Sequence, residues 1–553
     1  YIQKSYRLNG SSDLYGEFSN VTEYYDGFGL QIANVQENFG SQGSVIQVSR
    51  YDALHRPMRQ WNALPMSQAS STFRSDSPLT SAATALYGDA RAFVSMTYPL
   101  SAEKLPASTT IPGNQFMSHP STAESSCSNA AVRERSVIRY QFDGTILKAT
   151  GHYGTGELDC IISTDGNGLR MLKFTDILGH TILVRRISDS GDFADTYTIN
   201  DSWGNPLIVL PPEASHQLTN TSASWNISSS ALADYAFIYV YDSRLRLRSK
   251  KLPGCEPERY AYDCEGRLAF IRNGTLSEKG RRAFLLYDAL GRLAVRGTCA
   301  DALSDAVWDN DLSATTPAMN VTRNMTVGSG FLSTGYNIVG SLNLSNAKLL
   351  YANYYDDYGF RPLGWPAHIP YGSTTPSLTP ERRGLLTGTL TAVLGNGSHE
   401  PLLRVNHYNS AAMLTATVAR SVDGAFVTTD IKPSVAGLPL ETAVIRKDAD
   451  GTLETAVTTN SYDIFGRLKT SRLKTDATST QGLLLLSAEF DAVGNLCKET
   501  CEGNKVRTST RDIRGNISQW SAPYISQELL YGSAGKSTDW TGRVTAKTTR
   551  ING

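Results

Sequence analysis

The chain has 553 residues, long enough for several ordinary domains, and its 52 Lys plus Arg are balanced by 52 Asp plus Glu. That balance leaves no basic field for nucleic acid and no acidic tail. No run approaches the roughly 18 apolar residues of a spanning helix; the densest, LLLLSAEF from Leu483, is of strand length.

Residues 1–60 read as strands, with turns at Asn9-Gly10, at Tyr25-Asp26-Gly27-Phe28-Gly29 and at Tyr51-Asp52-Ala53-Leu54-His55. Residues 61–136 are rich in Ser, Thr, Ala and Pro; they predict an insertion capping the sheet, with one helix over Ser81–Phe93 and a loop near Thr109–Ser128. Strand texture returns over 137–298, with turns at Asp176 to Gly179 and Asp201 to Gly204, a partly helical stretch at 213–234, and three similar copies that follow: YDSRLRL from Tyr241 and Asp242, YDCEGRL from Tyr262, Asp263 and Gly266, and YDALGRL from Tyr287, Asp288 and Gly291. An irregular Asn-, Ser- and Thr-rich insertion occupies 299–347. Copies resume over 348–553, at Tyr355-Asp356 with Gly359, Tyr462-Asp463 with Gly466, Phe490-Asp491 with Gly494, and Asp512 with Gly515.

Each copy makes the same chemical offer. The Asp opens a turn whose amides its carboxylate can accept, and the Gly three residues later can take the positive φ that closes a hairpin loop. The Tyr ends the incoming strand, where its ring can be buried while its hydroxyl stays polar. Tyr241 to Tyr262 is 21 residues, Tyr262 to Tyr287 is 25 and Tyr462 to Phe490 is 28, a repeat period. Glycine loss therefore looks costlier than aspartate loss: Gly291→Val would strain φ, whereas Asp288→Ala would remove one turn bond.

These motifs resemble the YD-repeat (RHS, rearrangement-hotspot) family, whose signature YDALGRL at Tyr287 matches in full. YYDGFGLQIANVQ from Tyr24, LPPEAS from Leu210, KKLPGCEP from Lys250 and RGLLTG from Arg383 are similar to the large RHS proteins of Bacteroidetes-type bacteria, including their N-terminal domain. The resemblance implies an all-β fold, an antiparallel sheet spiralling into a hollow, partly open shell with short helical insertions. It implies a secreted or cell-surface bacterial protein that is not an enzyme, has no cofactor, and carries a C-terminal toxin or cargo domain, or further shell segments, beyond residue 553. Family members that release their cargo use an Asp-Pro-rich core motif, and this chain contains no Asp-Pro dipeptide. An extracellular adhesin meeting a cell-surface glycan or protein is the alternative.

The residues offer little to a catalytic reading. The repeated Asp residues share one turn context, unlike the single distinguished pair of a glycosidase. The eight histidines, His399 among them, form no HExxH, and His55 and His180 occupy turn positions. The Asn-x-Ser/Thr triplets, Asn324 and Asn396 among them, read as chance. The seven cysteines predict buried or semi-buried free thiols with no metal site. Arg244, Arg246 and Arg248 alternate with Leu245 and Leu247, which predicts a one-layer wall with no continuous dry face.

Overall fold

A computed structural model describes residues 1–6, 19–41, 43–66, 75–101, 104–301, 303–310, 312, 315–323, 325–340, 342–373, 382–394, 400–475, 482–533 and 538–551. The Asn9-Gly10 turn, Asn324, Asn396 and His399 lie outside the described residues.

Alternating apolar and polar residues bounded by turn formers make strands, and here each strand pairs antiparallel with one close to it in the chain. Among the described residues the result is one 34-stranded sheet that broadly follows chain order from Ile2–Tyr6 to Asp539–Ile551. The hairpins at the Tyr-Asp corners share a signature: register slips by one residue beside the corner, as between Leu286 and Tyr287, where Tyr287 faces Leu293. Such a bulge adds local twist and bends the strand, which curves the wall.

Residues 61–136 depart from the predicted cap. The strands Phe93–Thr97, Ser108–Thr110 and Ser121–Cys127 join the main sheet, the last pairing with Asp159–Thr164. The predicted loop near Thr109–Ser128 therefore contains strand. Its Ser/Thr-rich sequence hides this, because a sheet satisfies backbone groups whatever side chains it carries. The helix is Ser77–Tyr87, one turn earlier than predicted: Pro78 sits in its first turn and Gly88, at φ 68, ends it. Residues 137–152 also leave the expected sheet, since Ile138–Phe142 and Ile146–His152 pair with Ser224–Asn226 in a separate three-stranded layer.

That layer overturns the expectation of a wall without a dry face for much of the chain. Val137, Tyr140, Leu147, Leu218 and Leu232 cover Leu172, Phe174, Leu183 and Ile208 of the sheet. The insertion 299–347 does the same with Trp308, Met319, Val321 and Tyr336 over Phe284, Leu286, Val295 and Tyr354. The helix sets Leu79 and Ala83 against Ile46, Val48 and Trp61. From Asn460 onward the expectation holds: among the described residues the buried apolar side chains there are Ala492 and Val493.

No disulfide joins the cysteines among the described residues, but Cys255 and Cys264 are exposed, against the expectation of buried or semi-buried thiols. Both stand in turns, Cys264 directly after the corner aspartate Asp263, where side chains point outward.

The two-layer regions should carry the stability. Trp308 is 1% exposed and its Nε1 donates to Asp301 at 3.0 Å, so Trp308→Ala should cost about 3–5 kcal/mol. Val506→Ala, on an exposed strand position, should cost less than about 0.5 kcal/mol. Hydrogen exchange of each variant against the parent measures both.

Candidate functional site

The corner at Asp288 shows how the repeated residues work together. Leu290 and Arg292 donate their backbone N–H groups to Oδ1, each at 2.9 Å, and Arg292 Nε donates to Oδ2 at 2.7 Å. Gly291, at φ 75, donates its N–H to the Asp288 carbonyl at 3.0 Å, while the Asp288 N–H returns to the Arg292 carbonyl. One carboxylate thus holds three donors. Sequence reasoning offered it the backbone amides of the turn but counted a single lost bond for Asp288→Ala, and it missed the side chain four positions on.

The same cage recurs, and its fourth position explains the Gly-Arg, Gly-Asn and Gly-His endings. Arg56, Arg246, Arg267 and Arg467 donate side-chain nitrogens to Asp52, Asp242, Asp263 and Asp463. Asn205, Asn495 and Asn516 do so at Asp201, Asp491 and Asp512, and His180 Nδ1 lies 3.0 Å from Asp176. Asp26 keeps the two backbone bonds with Leu30 in that place. The Arg56 amide is the main cause holding the Asp52 carboxyl below the usual range. Gly29, Gly179, Gly204, Gly266, Gly466, Gly494 and Gly515 all take positive φ; His55 at 61° and Leu245 at 60° replace glycine in two corners.

The corner at Tyr355-Asp356-Gly359 is a correction. Asp356 itself has φ 74, Gly359 is not left-handed, and a loop to Ser373 departs where the turn was expected. The Asp356 carboxylate instead accepts the Gly384 N–H of the returning strand and both Nη atoms of Arg292. Corners built on Ser or Asn were missed altogether: Ser434 Oγ accepts the N–H groups of Ala436 and Leu438, and Asn409 Oδ1 those of Ala411 and Met413. The available signal was a small oxygen-bearing residue three before Gly437 or Ala412, both at positive φ.

Neighbouring corners are bonded to each other. Tyr262, Tyr287 and Tyr355 donate their hydroxyls to the carbonyls of Leu247, Leu268 and Leu293, in each case the residue five after the preceding corner's Asp. Tyr51, Tyr241 and Tyr462 do the same to Gln31, Pro206 and Pro439, the last of these belonging to the Ser434 corner. The Arg of one corner lies over the aromatic ring that opens the next: Arg246 over Tyr262 at 4.3 Å, Arg267 over Tyr287 at 4.7 Å, Arg292 over Tyr355 at 4.3 Å and Arg467 over Phe490 at 4.1 Å. Tyr25 is an exception, its hydroxyl bonding Glu23.

The later corners also meet the N-terminal region. Ser41 donates to the Asp491 carbonyl at 3.0 Å, Arg467 Nη2 to that of Phe39 at 3.0 Å, and Phe39 packs edge-on against Phe465. Asn62 Nδ2 donates to the Ile513 carbonyl at 2.6 Å, and Arg514 lies 4.5 Å above the Phe116 ring. The Trp540 ring stacks on His119 at 3.8 Å, and its backbone N–H donates to Asn167 Oδ1. Progress along one set of residues matches progress along the other, so the sheet winds round and its later strands run beside its first ones. This seam is tight: a Cβ on Gly40 would stand 1.8 Å from the Ala492 carbonyl oxygen.

Residues 5–126 match a family described as a domain of unknown function, DUF6443. No curated protein matches the chain. Among solved structures it is similar to TcdB2-TccC3 without its hypervariable C-terminal region, at 11% identity over 98% of this chain and 22% of that one, with a TM-score of 0.53. TcdB2-TccC3-Cdc42 and a Photorhabdus luminescens Tc holotoxin pore are each 11% identical over 99% of this chain and 26% of theirs, with TM-scores of 0.40 and 0.39. The chain thus spans about a quarter or less of the chains it matches. The first likeness places its fold: a large, open antiparallel sheet of the RHS shell type.

Because Asp288 accepts three hydrogen bonds rather than one, Asp288→Ala should cost about 1.5–3 kcal/mol, comparable to Gly291→Val at roughly 1–3. Two further glycines separate turn from seam. A Cβ on Gly291 meets nothing, whereas one on Gly494 would stand 2.2 Å from the Phe39 ring. Both have positive φ, so Gly291→Ala should cost about 1–2 kcal/mol, and Gly494→Ala should lower the thermal midpoint further and raise hydrogen exchange at residues 39–41.

Proposed function

We propose that this chain is a non-enzymatic wall segment of a secreted or cell-surface bacterial shell, which encloses or carries a C-terminal toxin or cargo domain. The observation that carries this reading is the seam: corners at Asp463, Asp491, Asp512 and Asp539 lie against residues 39–167, so the sheet curves back on itself. A curved sheet with two wetted faces, as from Asn460 onward, suits a wall between solvent and a wide lumen. The likeness to the TcdB2-TccC3 fold and the YD-repeat resemblance support the same reading. In it, the segment matching the domain of unknown function has a definite task, as the base on which the later winding closes.

The corner carboxylates support the non-enzymatic part of this reading, because they are engaged in their own turns. The aspartates at 52, 242, 263, 288 and 463 all hold an arginine four residues on, which leaves none in the free, opposed arrangement that glycoside hydrolysis requires.

Small-angle scattering tests the reading on the protein as it stands. A wall around a lumen should give a radius of gyration above the roughly 24 Å of a compact 553-residue globule, with a pair-distance distribution shifted to long distances. A value near that of the globule would favour packed domains and the adhesin.

A further inference from the structure

Neighbouring strands of the main sheet are paired antiparallel, so successive connections alternate between the two edges of the winding strip. The aspartate corners at 26, 52, 176, 201 and 288 fall on one edge, and those at 463, 491 and 512 fall on that same edge further along the strip. Gly40, Asn62, Phe116 and Asn167 stand on the other edge. The seam therefore joins the corner edge of the later strands to the opposite edge of the first ones.

The tip of a corner is the pair of residues after its Asp, and in the seam these tips are covered. Phe465 packs edge-on against Phe39 at 4.8 Å, Ala492 and Val493 are 7% and 9% exposed, and Ile513 packs on the cluster around Trp61. In the early corners the same positions hold Phe28, Leu54, Ile177, Leu178, Trp203 and Leu290, which are 53% to 94% exposed. Such a row of apolar tips marks an interaction edge. The glycines repeat the contrast: a Cβ on Gly494 or Gly40 would strike the facing edge, whereas one on Gly29, Gly179 or Gly291 meets nothing within 4 Å among the described residues. The opposite edge is bare in the same way beyond the seam, with Val422, Leu453 and Tyr524 exposed and nothing near Gly424 or Gly451.

One molecule thus carries both halves of a second seam. We propose that a second copy of this chain docks head to tail, seating its opposite edge between Val422 and Tyr524 on the early corner tips, as residues 39–167 seat on the later corners within one chain. Continuity with the seam selects this occupant: the bare tips are Phe, Leu, Ile and Trp where the covered ones are Phe, Ala, Val, Ile and Trp, and what covers them is the far edge of the same antiparallel strip. The contact is heterologous, so every assembly keeps one free edge of each kind and can exceed two copies. It rests on the seam alone. A monomer with a radius of gyration above that of a compact globule would keep the wall reading and overturn this one.

Sedimentation velocity on the whole chain, between about 1 and 100 μM, tests it. The parent should pass from monomer to dimer and larger species as concentration rises. Leu178→Glu with Trp203→Glu on the corner edge, and Leu453→Glu with Tyr524→Glu on the opposite edge, should each raise the concentration of half-association by roughly tenfold or more. Both should keep the parent's thermal midpoint, because all four side chains are exposed. Mixed in equal amounts at a concentration where neither associates alone, the two variants should form a dimer and nothing larger, since each keeps the edge that the other lacks. A parent that stays monomeric, which would leave the corner edge to a different chain, association unchanged in either variant, or a mixture that forms no dimer would overturn the proposal.

Discussion

One carboxylate, repeated along the wall, organises this protein. The corner Asp closes its turn through two backbone amides and grips the side chain four residues on, and at the arginine corners that cation then covers the aromatic ring opening the next copy. The ring's hydroxyl returns to a carbonyl of the copy before. Turn closure and neighbour attachment are therefore the same set of bonds, and a sheet held this way extends by nearest-neighbour contacts without needing one central core. Each bond is modest; their regular spacing fixes register, which an unpatterned sheet would leave free to slip.

The second layer appears where the chain inserts one. Residues 137–152 and 213–236 cover one stretch of sheet, 299–347 cover the next, and the Ser77–Tyr87 helix covers the first strands. These patches bury the Phe, Leu, Ile and Trp side chains that dominate folding energetics, whereas the strands after Asn460 rely on the ladder and the seam. Insertions thus fall at places where a corner would otherwise stand, as after Asp356, whose carboxylate holds the returning strand at Gly384 while the loop that follows brings His368 onto Asp430.

Much of this was legible in the sequence because a turn is a local object. Asp288 and Gly291 lie three residues apart, and the positive φ of one and the acceptor role of the other follow from elementary geometry. The link between copies was harder to read: Arg292 looked like one member of an alternating strand, though it pairs with Asp288 and Asp356 and covers Tyr355. The Ser434 and Asn409 corners escaped because a hydroxyl or amide oxygen replaces the carboxylate. Ser121–Cys127 escaped because a strand flanked by two others needs no apolar side chains to be a strand. The seam and the His368–Asp430 pair join residues far apart in the chain, and no local pattern encodes such meetings.

The claim that copies hold one another through the Arg–ring contact is tested most directly by double-mutant cycles. For the adjacent pair Arg267→Ala and Tyr287→Leu, whose guanidinium and ring lie 4.7 Å apart, a coupling of about 0.5–2 kcal/mol is expected. The pair Arg246→Ala and Tyr287→Leu, one copy further apart, should be additive within about 0.5 kcal/mol. Zero coupling in the adjacent pair, or equal coupling in both, would contradict a wall built from neighbour-to-neighbour bonds.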